Sequence, residues 1–316
     1  MKAVRAITVG VVVAAACIVP APASFATFPG DDGLIAFSYE SPVPGEHLTQ
    51  NDIYTMEPAG TNLQQLTDTP HRHEFAPAWN AEGTKIAFWR TKAPFGPGTI
   101  WVMDADGGNP VRLTQDIDAR DPVWSPNGRR IAFSSFTGRR GHTSIYTMRA
   151  TDGGGRVRVT PWPSGEFEPA WSPDGTSIAF TRGFERGDVG DIWTVELATG
   201  QATQLTSTPA DDHQVAWFPD SSAVVFERAK FVTAKIVSVD ADGSDQSALT
   251  SGFFDADPAP SPTGAQNVFA SDRIGGFLPD LWTKQADGAS PQVIVDLPFA
   301  STTPDWQPVP VPGRGA

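Results

Sequence analysis

The chain has 316 residues, 19% of them charged, and a formal net charge of −13. That acidity argues against nucleic acid or an anionic lipid surface as partner and leaves cations and basic surfaces open. Its 29 prolines and 30 glycines stay below the share that marks low complexity and fall at turns, as a many-stranded protein requires.

From the N-terminus, Lys2 and Arg5 precede an apolar run from Ile7 to Val19, with small residues continuing to Ala26. This is the pattern of a secretory signal peptide (1–26), too short for a membrane span. The expected product is exported (secreted, periplasmic or in the cell envelope), without a transmembrane segment. Cys17, the only cysteine, lies in this leader. Ala14-Ala15-Ala16-Cys17 also loosely fits a lipoprotein cleavage site that would make Cys17 a lipid anchor, but the apolar Ile18-Val19 that follows argues for ordinary cleavage.

Next comes a partial unit: Leu34-Ile35-Ala36-Phe37, then Asp52-Ile53-Tyr54-Thr55-Met56, then Gln65-Leu66-Thr67. Fuller copies follow. The clearest is Glu168-Pro169-Ala170-Trp171-Ser172-Pro173-Asp174-Gly175, then Ile178-Ala179-Phe180, Ile192-Trp193-Thr194-Val195 and Gln204-Leu205-Thr206. Ser-Pro-Asp-Gly is turn chemistry, and the flanking Trp and Ile-Ala-Phe favour a pleated, buried surface. The same frame recurs around Trp79, Trp124, Trp217, Pro260 and Trp306, roughly every 45 residues. Four antiparallel strands at that period form a β-propeller blade. The first unit lacks a Trp strand and the last supplies only one, so the two ends are expected to join as a sixth blade.

The Pro-x-Trp-Ser-Pro-Asp-Gly…Ile-Ala-Phe…Ile-Trp…Asp-Gly…Leu-Thr pattern resembles the repeats of TolB-like β-propellers, relatives of the WD-repeat group. The resemblance implies an all-β, six-bladed propeller over 27–308, closed by pairing the C-terminal strand with the N-terminal blade. Residues 309–316 then form a disordered Pro-rich tail. TolB proteins carry an α/β domain ahead of the propeller, whereas these repeats start almost directly after the leader, so the resemblance implies the propeller fold without by itself implying the TolB partner network.

A propeller gives its turns an address. The first-to-second and third-to-fourth turns are short and regular and share one face. The second-to-third and fourth-to-first loops are long and irregular and share the other, where binding is expected. Five residues before each Trp position stand Glu74, Ala119, Glu166, Asp212, Asp255 and Ser301; three before it stand Ala76, Asp121, Glu168, Gln214, Asp257 and Thr303. Strict alternation along a strand puts both sets on one side, around the axial mouth. The candidate binding residues there are Glu74, Asp121, Glu166, Glu168, Asp212, His213, Asp255 and Asp257. Two readings stand: a hydrated acidic funnel, or a site for calcium or another divalent cation held by oxygen ligands. Arg139, Arg140, Arg182, Arg186, Arg228, Lys230 and Arg273 read as a basic collar round the mouth. Trp162, Phe253 and Phe254 lie in fourth-to-first loops outside the repeat pattern and are candidate loop aromatics for a partner or a sugar.

No hydrolase, zincin or phosphate-loop motif is present. The leading expectation is therefore a monomeric binding or scaffold module for protein or cell-wall carbohydrate ligands. His71, His73 and His213, placed near the mouth, support an alternative, a metal-dependent polysaccharide lyase or hydrolase. A calcium-stabilised structural module is the third.

Overall fold

The computed structural model describes residues 28–43, 49–93, 96–136, 142–162, 165–183, 189–231, 233–251, 254–273, 278–286 and 290–311. The expected leader, with Cys17, lies outside the described residues. Six four-stranded antiparallel sheets are arranged as the blades of a propeller. The innermost strands of blades one to five are His73–Trp79, Asp118–Trp124, Glu166–Trp171, Asp211–Trp217 and Asp255–Pro260. Each blade runs outward in chain order and ends in a strand of only two to four residues. So short an outer edge offers little template for pairing with another chain.

The sixth blade is built from both ends, as expected. Its innermost strand is Ser301–Val309, and its other three are Asp31–Pro42, Thr49–Met56 and Gln64–Gln65. In the closing pair, Trp306 sits opposite Ile35 and Asp305 opposite Ala36.

The repeat residues form the packing between blades. Phe37, Phe88, Phe133, Phe180, Phe226 and Phe269, one per blade, are fully buried. The tryptophans at the ends of the inner strands are buried as well, and three of them reach across a blade boundary. Trp124, Trp217 and Trp306 donate Nε1–H to the carbonyls of Ala78, Ala170 and Ala259 in the preceding blades, at 3.1, 3.0 and 3.1 Å. A large apolar body with one satisfied polar tip suits this wedge position. The hairpin turn is set by side chains too. Ser172 donates to Asp174, which also accepts the Thr176 N–H at 2.9 Å, while Gly175 takes φ +74. Only glycine enters that region without strain.

The threonine that closes five of the six units, after Leu or Val, has a structural role. Thr67, Thr114, Thr160, Thr206 and Thr250 are buried, and each hydroxyl accepts the first core N–H of its own blade's third strand. The acceptor distances run from 2.8 to 3.0 Å, for Ile53, Ile100, Ile145, Ile192 and Ile236.

Candidate functional site

Around the axis the inner strands do not alternate regularly. In every blade the residue three before the Trp position has a left-handed backbone: Ala76, Asp121, Glu168, Gln214, Asp257 and Thr303 have φ of 48, 52, 53, 54, 52 and 49°. In the first five blades the register slips there. Phe75 faces Trp89 and Ala78 faces Ala87, so Ala76 and Pro77 together oppose Phe88. This is a β-bulge, in which two residues oppose one and the strand bends. The bulge aims the six left-handed residues at the axis, where they line a central cavity of about 190 Å³.

A hydrogen-bond ring follows the bulges. Gln214 N–H donates to Glu168 Oε2 at 2.7 Å, Asp257 N–H to Gln214 Oε1 at 3.0 Å, and Thr303 N–H to Asp257 Oδ2 at 3.0 Å. In the sixth blade the Thr303 and Ser38 hydroxyls are 2.9 Å apart, and Ser38 Oγ accepts Ala76 N–H at 3.2 Å. The unusual φ thus presents the amides of Ala76, Gln214, Asp257 and Thr303 to the neighbouring blade. Strain of order 1–3 kcal/mol per residue persists only where surroundings fix it in this way.

The bulge also corrects the expected geometry. Of the eight candidate mouth residues, Asp121, Glu168 and Asp257 line the axial cavity. Glu74, Glu166, Asp212 and Asp255 do not, because the extra residue reverses the alternation and turns them into the protein, where all four are 0% exposed. There each meets an arginine of the second strand or its end: Arg90 Nε to Glu74 at 2.6 Å, Arg228 Nε to Asp212 at 2.6 Å, Arg273 Nε to Asp255 at 3.0 Å, and Arg182 Nε to Glu166 at 4.0 Å. Three of these guanidiniums also lie over a third-strand tryptophan, Arg90 on Trp101 at 4.3 Å, Arg182 on Trp193 at 4.6 Å and Arg273 on Trp282 at 5.8 Å. Thr160 of the preceding blade donates to Glu166 at 3.2 Å. Arg182, Arg228 and Arg273 therefore belong to buried clasps rather than to a basic collar. Arg139, Arg140 and Arg186 lie outside the described residues.

Two further acids lie outside the repeat motif, Asp305 in the cavity lining and Glu227 buried beside it. Asp305, one residue before Trp306, stands in a column otherwise filled by Ala78, Val123, Ala170, Ala216 and Ala259, and it accepts Trp79 N–H at 2.7 Å. Glu227 is 2% exposed and faces His213 Nε2 at 3.4 Å. The signal was available in both cases: a lone acid in a repeat column of small or neutral residues.

Burial raises the pKa of Asp121, Glu168, Asp257, Asp305 and Glu227. Asp121 and Asp257 are pushed up to about 6, with Glu168 beside both; Asp305 is pushed up to about 7. Glu227 rises to about 9, from burial first and then from Asp257 and Glu168. Burial also raises Glu168 and lowers His213. The acids of the axial region thus ionise less readily than free carboxyls. Among the described residues, no three His, Cys, Asp or Glu side chains stand together as a metal ion would need.

The remaining histidine of the lyase alternative with described contacts, His73, is in blade one. Its Nδ1 lies 3.2 Å from Asn51 Oδ1, and its ring stacks on Phe75. His213 is across the ring in blade four.

On the loop-rich face, Trp162 stacks on Phe180 at 6.3 Å with Arg182 5.1 Å from its ring, so it packs into the fold. Phe253 lies outside the described residues. Phe254 is 43% exposed and bridges to Ala234, one residue pair from the turn of the blade-four hairpin. The tip of that hairpin is the most exposed large apolar residue among the described residues: Phe231, 96% exposed, with φ 58°.

Comparison with known proteins places this architecture. Residues 118–310 match the family model described as the TolB beta propeller domain, well over half of the chain. The chain belongs to the TolB β-propeller family. Among sequences, the Tol-Pal system protein TolB 1 of Novosphingobium aromaticivorans is 37% identical over 81 residues, 25% of this chain and 18% of the relative. The TolB of Coxiella burnetii is 43% identical over 56 residues, 17% and 12% of the two chains. The matched segments thus span less than a fifth of these curated relatives. Among structures, TolB from Acinetobacter baumannii superposes with a TM-score of 0.72 at 21% identity, over 89% of this chain and 68% of that one. At that identity the likeness is one of fold. As a TolB propeller, the chain shares its bladed scaffold with these proteins.

Proposed function

We propose that this propeller is an exported, cell-envelope binding module that docks a protein partner on its loop-rich face. One observation carries the reading. Phe231 is almost fully exposed at the tip of the hairpin formed by Ala223–Lys230 and Thr233–Asp240, in a left-handed conformation that costs a bulky residue strain. A tight turn there favours Gly or Asn. Neither burial nor turn geometry explains a phenylalanine, whereas an aromatic anchor at an interface does. Phe136, Val189, Phe254 and Leu278 are also exposed, at the ends of second strands or in loops of the same face. The relatives' name, Tol-Pal system protein, supports a place among several proteins.

The test is a photo-crosslinkable residue placed at Phe231 and, as control, at Val157 on an outer strand. A defined partner captured from the envelope through position 231 and not through 157, and lost from the wild-type background in Phe231→Ser, supports the reading. Equal capture at both positions, or none, removes it.

A further inference from the structure

A second feature of the loop-rich face stands apart from the axis and from the blade-four hairpin. On blade one, residues 91–93 and 96–99, Arg72 and the passage from Gln115 to Asp118 enclose an open cavity of about 730 Å³. That is within the range of small-ligand sites.

Its charge is opposite to that of the chain as a whole. Arg72, Arg90, Lys92 and Arg112 line it, against Asp116 and Asp118. Each acid is already held by an arginine from outside the lining: Arg156 lies 2.9 Å from Asp116 and keeps its carboxyl below the usual range, and Arg120 lies 3.2 Å from Asp118. Of the cations, Arg90 is matched by Glu74. Arg112 donates to the carbonyls of Thr114 and Gln115 at 2.7 and 3.3 Å, which fixes the guanidinium without neutralising it. Among the described residues, no carboxylate pairs with Arg72, Lys92 or Arg112. Three uncompensated positive charges thus face one cavity on a protein of net charge −13.

The wall is pre-formed. Gly98 N–H donates to Asp118 at 2.7 Å, and Arg120 Nη2 donates to Gly96 O at 3.0 Å. A Cβ at Gly98 would stand 2.8 Å from Trp89 and from the Ala119 carbonyl, so the loop lies against the blade as only glycine permits. Half-buried Trp101 forms the floor, with Arg90 over its ring. A rigid site loses less freedom on binding. Other blades lack the combination: the places of Arg72 and Arg112 are taken by Ala210 and Ala248 in blade four, and by Phe299 and Gln65 in blade six.

We propose that this blade-one cavity binds an oxyanion, a carboxylate or phosphate group carried by a polar ligand, through Arg72, Lys92 and Arg112. Guanidinium forks suit both oxyanions, and the ammonium adds a point charge.

The experiment is titration calorimetry of the full chain at low ionic strength with three probes: an oligouronate, inorganic pyrophosphate, and a neutral oligosaccharide of equal length. Binding of the oligouronate alone, of pyrophosphate alone, or of both supports the proposal and names the oxyanion source. Binding is expected to weaken with salt and at least tenfold in Arg72→Gln/Lys92→Gln, whose thermal unfolding serves as the folding control. Arg112→Gln is the second variant should the double variant unfold early. No binding of either anion, equal binding of the neutral sugar, or undiminished binding in both variants overturns it.

Discussion

Asp305 and Glu227 show how much a single residue in a repeat column can alter. Each is a carboxyl pressed into the axial region, with a folded-state pKa near 7 and near 9, where ordinary Asp and Glu titrate near 4. A raised carboxyl pKa contributes stability that is fully present below about pH 4 and is lost as pH climbs through the folded value. Asp121, Asp257, Glu168 and Glu74 act in the same direction. His73 and His213, lowered by burial, act the opposite way and remove stability as pH falls below about 6.5, but they are two groups against six. The propeller is therefore expected to melt a few degrees higher at pH 5.5 than at pH 8, a shift of the order that ~1–2 kcal/mol produces in a domain of this size. Glu227→Gln and Asp305→Asn should each raise the melting temperature at pH 8 and flatten that dependence. A melting curve for both variants that parallels wild type across this range contradicts the assignment.

At the scale of a strand, two devices stand out: the bulge and the threonine clasp. Pro77, Pro122, Pro169, Pro258 and Pro304 each follow the left-handed residue. Proline inside a strand is confined to edges and bulges because it cannot donate to the ladder, so these prolines mark an irregularity in five of the six inner strands, while which side chains it turns toward the axis is set by the fold. The clasp is testable on its own. Thr160→Val keeps the shape but leaves the buried Ile145 N–H without its acceptor at 2.9 Å. The expected cost is about 1–3 kcal/mol in denaturant unfolding, the penalty for a buried donor left unmade. A loss below a few tenths of a kcal/mol means that water or a shifted carbonyl replaces the hydroxyl.

For the molecule as a whole, closure is the decisive event. The inner strand of blade six comes from one end of the chain and the other three from the opposite end. Trp306 fills the wedge between blades five and six, buried and bonded to Ala259. Trp306→Ala should cost about 3–5 kcal/mol by the usual toll of a large buried truncation, and Val157→Ser on the exposed rim close to nothing. Removing residues 301–316 should do more than destabilise. It uncovers the Asp31–Pro42 strand, and an unpaired edge of that length invites association, which light scattering would register as oligomers in place of a monodisperse species.

The repeats by themselves determined the blade count, the split sixth blade and the pairing of Trp306 with Ile35, because period, turn chemistry and apolar columns are local and occur many times over. They also marked the loop-rich face, since Arg90–Thr99 and its counterparts are visibly longer and less regular than the opposite turns. Only the tertiary structure decided which acids face the axis, because one bulged residue at Glu168 or Asp257 reverses every side chain N-terminal to it. The same holds for the pairing of Arg182, Arg228 and Arg273 with buried carboxylates and for the cationic cavity on blade one. Those depend on residues far apart in the chain, brought together by closing the ring, and no spacing along the sequence encodes such distances.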